Sequence, residues 1–214
     1  MNDGSLILGA DNYNIPGYFD TGIKGQRWTY YRTRAEGHNT LVIAPGLLSD
    51  QDTRADTRMT GFGSHEDAAF TTMDLTPAYA AHANTVKRGI ALAEKREVVI
   101  VNDVISNSQP ADVYWFAHTR ASISLSTDKK TATLTQHGKK YLATIVSPAN
   151  AVFDALPAAP LPSSPQPKEN NANKGIQKLN IHLAAVDTTN IVVVFHKEKT
   201  KAKSAYTKGL ETWK

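Results

Sequence analysis

Cysteine is absent from the 214 residues. That excludes disulfide staples, zinc ribbons and thiol nucleophiles, while leaving the compartment open. Long apolar runs are absent too: the longest, such as Ile191 to Phe195, fall far short of the roughly 20 residues that a membrane-spanning helix needs. No basic segment leads into an apolar stretch at the start, so no signal peptide is read and no membrane partner is expected. Extended helical periodicity is missing, and so are the motifs of familiar chemistries, with no HExxH, GxSxG, P-loop or GxGxxG. The basic residues are scattered, without the spacing of a nucleic-acid recognition module, and nucleic acid is not an expected partner.

What is present is period-two alternation. Hydrophobic residues make up 41% and charged residues 21%, an ordinary globular balance. The net charge of +4 and isoelectric point near 9.2 mildly favour an acidic partner. Thr40–Ala44, Thr85–Ala93 and Glu97–Val104 read as strands, followed by a series of short ones from Asp112 to Ser147. Asp128, Lys129 and Lys130 fall between two of these as a hairpin loop. Lys178–Asp187 and Asn190–Lys197 read as two further strands parted by Thr188 and Thr189. The best helical candidate is the short stretch Ser64–Met73. Many short strands with frequent turn signals predict an all-β fold, a large antiparallel layered β-sandwich with very little helix, in one domain over 1–214. Two segments stand apart. Pro157–Gly175 holds five of the ten prolines and reads as a mobile loop with little to bury. The lysine-rich tail, 198–214, reads either as a solvated end or as an anion-binding arm.

The densest polar chemistry lies in Tyr30–Pro45, YYRTRAEGHNTLVIAP. If RWTYYRTR alternates as a strand, Trp28, Tyr30, Arg32 and Arg34 share one face and Arg27, Thr29, Tyr31 and Thr33 the other. Aromatic rings beside guanidinium forks suit a carboxylated or sulfated sugar, the ring stacking on the sugar and the fork binding oxyanions. The same residues also fit a cation and aromatic ladder on a sheet surface. His38 fits either a loop histidine serving a backbone group or a metal ligand. As a ligand it needs two or three partners, and His65, Glu66, Asp67 and His82 have no recognisable ligand spacing with it.

The stretch LGADNYNIPGYFDTGIKGQRWTYYRTRAEGHNTLVIAP resembles the β-sheet domain of heparinase II/III-like polysaccharide lyases, in which R-W-x-Y-Y-R precedes H-N-T-L-V-I. The resemblance continues through DLTPAYAAHANTVKRGIALAEKREVVIVNDVIS and DVYWFAHTRASISLS, and more weakly to GLETWK. It implies a super-sandwich-like β domain of an enzyme that cleaves acidic, uronate-containing polysaccharides, glycosaminoglycan or alginate, by β-elimination, in the periplasm or outside the cell. It implies a helical toroid as partner domain, supplying most of the catalytic groups, and a divalent ion, zinc or calcium, in the complete enzyme. The metal-binding H-x-H pair falls upstream of Met1, and its aspartate position is occupied by Ile7. Only His38 matches, so no cofactor is expected in this chain, and lyase activity of the chain alone is not expected. The substrate-binding candidates are Arg27, Trp28, Tyr30, Tyr31, Arg32 and Arg34; the catalytic residues are not indicated. An alternative is a non-catalytic module that binds acidic carbohydrate, and an exposed aromatic wall also makes homo-oligomers an expectation.

Overall fold

In the computed structural model, which describes residues 16–22, 24–168, 173–200 and 202–213, the chain is built from antiparallel strands and short 3-10 turns. The strands in chain order are β1 (Leu41–Ile43), β2 (Arg58–Ser64), β3 (Ala69–Asp74), β4 (Ala83–Ala93), β5 (Val98–Thr119), β6 (Ser122–Leu125), β7 (Thr131–Gln136), β8 (Lys139–Ser147), β9 (Phe153–Pro157) and β10 (Gln177–His196). They form one sheet in the order β2-β3-β4-β5-β10-β8-β7-β6, with β1 added to β5 and β9 added to β10.

β5 and β10 are long enough to serve two leaves. The first half of β5 pairs with β4 and with the second half of β10, so that Ile100 lies opposite Ala91 and Val194. Its second half pairs with β1 and the first half of β10, and there Trp115 lies opposite Leu41 and Ile181. Register shifts between Leu183 and Thr188 mark where β10 passes from one leaf to the other, as bulges bend a strand and sharpen its twist. The sandwich is therefore a single sheet doubled over.

Alternation then sorts the side chains. Val86, Ile105, Ile191 and Val193 from the first leaf meet Leu41, Ile43, Val113 and Ile181 from the second in the main core, each essentially sealed from solvent. On the outer side of the first leaf, Ile100, Val192 and Val194 pack under the C-terminal segment, where Trp213 and Tyr206 close over Phe70. Gly89 is required here: a Cβ would collide with the Leu210 side chain and the Trp213 ring. On the outer side of the second leaf, Val42 and Phe116 are covered by Ala35 and Leu161.

The antiparallel, layered, nearly helix-free architecture agrees with the sequence. Several local expectations are corrected. Ser64–Met73 is no helix: it contributes the end of β2 and most of β3, whose hairpin register pairs Ser64 with Ala69. Lys178–Asp187 and Asn190–His196 belong to one strand, and so do Val98–Val104 and Asp112–Thr119; Glu97 and Lys197 lie just outside them. The tail is no free solvated end, because Tyr206, Leu210 and Trp213 dock on the sheet. In Pro157–Gly175, Ala158 and Leu161 are buried. Residues 157–168 thus have apolar anchors that the proline count concealed; 169–172 lie outside the described residues.

Candidate functional site

The polar stretch upstream of β1 is where structure departs most from the sequence. Alternation fails: Gln26–Thr29, Tyr31–Thr33 and Ala35–Gly37 form three successive 3-10 turns. Backbone bonds close them every three residues, from Tyr30 N–H to Arg27 O (3.3 Å), Thr33 N–H to Tyr30 O (3.1 Å) and Gly37 N–H to Arg34 O (3.1 Å). Thr29 and Thr33 add hydroxyl donation to the carbonyls of Gln26 and Tyr30. These local bonds offer the backbone an alternative to the sheet ladder. A third constraint is Gly37, whose position leaves no room for a Cβ beside the Tyr31 carbonyl.

Turns of this kind do not separate faces as a strand does. Tyr30, Tyr31 and Arg34 point inward and are at most 2% exposed, so as they stand they cannot form a solvent-facing sugar wall. Tyr30 donates its hydroxyl to Pro16 O (2.6 Å). Arg34 is a structural clamp: it donates to the carbonyls of Trp28, Leu48 and Gly46 and to Asp50 Oδ1 at 2.5 Å. Arg27, Trp28 and Arg32 remain partly exposed. Arg27 lies over the Tyr18 ring at 4.4 Å and the Trp28 ring at 5.5 Å, and donates to Tyr18 O. Arg32 donates to Asn173 Oδ1 at 2.8 Å, which ties this stretch to the far end of the proline-rich segment.

Beneath the turns lies a buried polar cluster on the outer face of the second leaf. Tyr31 and His118 meet at 2.7 Å, hydroxyl to Nε2. The Asn39 side-chain carbonyl accepts from the His118 backbone N–H at 2.7 Å and lies 3.2 Å from its Nδ1, so Nδ1 carries the proton and Tyr31 donates to Nε2. Burial, then repulsion from Lys178, pushes the His118 pKa down to about 3, keeping the ring neutral. Burial, together with the nearby Glu36 charge, raises the Tyr31 pKa well above its ordinary value. Lys178 sits over the Phe116 ring at 4.3 Å, donates to Ala159 O and lies 3.5 Å from Glu36. Burial lowers its pKa to about 8 despite that carboxylate. Glu36 also accepts the Leu161 backbone N–H. Asp50, although paired with Arg34, is pushed up to about 6 by burial. His118, Lys178, Glu36 and Asp50 were not singled out from the sequence; for His118 and Lys178 the available signal was the polar residues of AHT and KLNIH that alternate with core-facing Ala117, Leu179 and Ile181.

His38 takes up the backbone role. Its Nε2 donates to Arg32 O at 3.0 Å. Among the described residues no group of three or more histidines or acidic residues could hold a metal ion.

The family profile of the heparinase II/III-like C-terminal domain matches residues 12–205. The chain belongs to that family. Solved structures similar to it include a heparan sulfate lyase HepC from Pedobacter heparinus, with TM-score 0.60 at 10% identity over 89% of this chain and 27% of that one. A heparinase III gives TM-score 0.60 at 11% identity, over 90% of this chain and 27% of that one. At such identity the likeness is one of fold. The chain spans about a quarter of the length of these structures. No curated protein matches it. The divalent ion that the family resemblance implies does not fit the described residues: His38 is the only ligand in register, and its Nε2 is committed to a backbone carbonyl.

Proposed function

We propose that the chain serves as the β-sheet domain of a polysaccharide lyase acting on an acidic, uronate-containing polysaccharide by β-elimination. The family match over residues 12–205 is the observation that carries this reading, and the heparan sulfate lyase among the similar folds supports the substrate class. β-Elimination requires the uronate carboxylate to be neutralised before the adjacent carbon gives up its proton, and then a base and an acid for that proton and the leaving oxygen. Among the six candidates, Arg27, Trp28 and Arg32 keep partly exposed side chains. They supply cationic and stacking surface for a polyanion, while Tyr31, His118 and Arg34 hold that surface in place from below. The acid and base come from the helical toroid, the proposed partner domain, and the complete enzyme works in the periplasm or outside the cell. Among the described residues no helix is long and apolar enough to cross a membrane.

A second reading is a non-catalytic module for acidic carbohydrate. What favours it is that Tyr31 and His118 are sealed from solvent, which leaves the binding groups Arg27, Trp28 and Arg32 at the surface and keeps this hydroxyl–imidazole pair away from a bound sugar. One experiment separates the two. The chain is assayed for the unsaturated uronyl product on heparan sulfate and alginate, alone and joined to the helical domain of a heparinase III. Turnover only in the joined protein supports the lyase domain. Retention on the polyanion with no turnover in either form supports the binding module. Neither retention nor turnover refutes both.

A further inference from the structure

β2 stands at one end of the strand order, and among the described strands it pairs with β3 alone. Sheets commonly blunt such an edge by keeping it short, by placing lysine or proline on it, or by twisting it away with a bulge. At the opposite end of the order β6 has four residues, and its apolar Ile123 and Leu125 are half-buried. β2 has seven residues with neither lysine nor proline, and a bulge only between Met59 and Gly61.

Its backbone is set to accept a further strand. Where the β2–β3 hairpin closes, His65 N–H donates to Ala68 O at 2.6 Å. Bonded and non-bonded pairs alternate along an antiparallel ladder, so the N–H and C=O groups of Ser64 and Phe62 point away from β3. The side chains add an apolar surface. Phe62 and Met59 are 69% and 64% exposed, and lie opposite Thr71 and Met73, which share one side of β3. Opposite Thr71 on β4 comes Ile90, itself 36% exposed.

The two ends of β2 differ in charge. Arg58 at its start is exposed, with the equally exposed Asp56 at 3.4 Å. Past its end, Glu66 and Asp67 are exposed at the hairpin tip, where Arg96 holds Ser64 Oγ and His65 O. When two copies of β2 run antiparallel about a two-fold axis, each Arg58 comes beside the Glu66–Asp67 tip of the other copy. Both ends are matched at once, and Phe62 meets the same region of the second strand. This match under a two-fold favours a second copy of the chain over a foreign strand.

We propose that β2 is a dimerisation edge, at which two copies of the chain pair β2 with β2, antiparallel, and continue one sheet into the other. The surface is distinct from the aromatic stretch Trp28–Tyr31 and does not depend on the lyase reading.

The test is sedimentation of the whole chain over a range of concentrations. A single step from monomer to dimer is expected below about 1 mM, the weak end of measurable association. Phe62→Lys should weaken the dimer about ten-fold, as for the loss of an apolar anchor. Arg58→Glu and Glu66→Arg should each weaken it, and the two together should restore it, because each charge then meets its opposite again. All are exposed positions, so the melting temperatures of dilute samples should stay nearly unchanged. A chain that remains monomeric to about 1 mM overturns the proposal. So does a dimer indifferent to Phe62→Lys, growth beyond the dimer, or a charge exchange that fails to restore what each single change removed. Should Phe62→Lys fail to fold, the charge exchange decides the matter.

Discussion

Arg88 and Asp103 face each other across β4 and β5 inside the sandwich, joined by two bonds, Nε to Oδ1 at 2.6 Å and Nη2 to Oδ2 at 2.9 Å. The third arm of the guanidinium holds Asn39 O at 2.9 Å, so the pair pins the approach to β1 as well. Truncating one partner strands the other charge in a low-dielectric interior. Arg88→Met is therefore expected to cost about 3–5 kcal/mol, read as a drop in the urea midpoint. Arg88→Met with Asp103→Leu should cost clearly less than Arg88→Met alone. A double variant as unstable as the single one would show that the loss comes from packing and not from the orphaned carboxylate.

The arginines of the polar stretch should behave oppositely. Arg34→Ala removes the clamp on Asp50 and on three carbonyls and is expected to lower the melting temperature sharply. Arg27→Ala with Arg32→Ala should leave it nearly unchanged, as for partly exposed positions, and should reduce retention on heparan sulfate. That retention should fade with added salt, since surface attraction is screened over about 8 Å at physiological ionic strength. Equal retention by the double variant and the unaltered chain would remove these two residues from any substrate surface.

Acid should weaken the fold through His118. Its pKa is about 3 in the folded chain against an ordinary 6.5, so between these values the unfolded chain binds the extra proton. Stability from this group is complete above about pH 6.5 and is lost as pH falls toward 3. Asp50 works in the other direction: with its pKa pushed up to about 6, its contribution falls as pH rises from its ordinary 3.8 to 6. His118→Gln should accordingly flatten the acid limb of a plot of melting temperature against pH. An unchanged limb would mean that His118 is already protonated in the folded state.

Zinc should neither bind in a one-to-one ratio nor raise the melting temperature, because His38 has its Nε2 engaged with Arg32 O and lacks companion ligands among the described residues. The check is metal content after dialysis, with and without His38→Ala. One tightly held ion that disappears with the substitution would contradict the assignment of His38 as a backbone anchor.

Trypsin should cut first at Lys168 or Lys174, both exposed in turns, and later at any site within β5 or β10. Mass spectrometry of early fragments checks this. Residues 157–165 should stay protected on the earlier side of the cut, since Leu161 is buried and its N–H is held by Glu36.

The strands that the sequence revealed are those with one apolar face buried on each leaf. Val98–Val101 and Ile191–Phe195 read as short continuous apolar runs because both of their faces meet packed layers. The turn at Asp128–Lys130 was legible from its residue types alone, and Ser126 and Asp128 do hold it by side-chain bonds. β2 was hidden because its side chains are nearly all exposed, so no buried stripe marks it. The single continuous β5 was hidden by Ser106–Asp112, where polar residues and Pro110 read as a break although the strand only passes between leaves. At Arg27–His38 a pattern of alternating types was compatible with both a strand and threonine-capped 3-10 turns. What decided it was contact with Asp50, Leu161 and Lys178, remote in sequence and so invisible in a local pattern.

Because β5 and β10 each run through both leaves, neither leaf has a boundary at which it could melt by itself. Opening the Trp115 end peels the same two backbones that carry Ile100 and Val194. The amides of Ile100, in one leaf, and of Leu179, in the other, should therefore exchange with solvent in a single slow class, through one whole-molecule opening. The doubled sheet makes the sandwich behave as one hinge-free body.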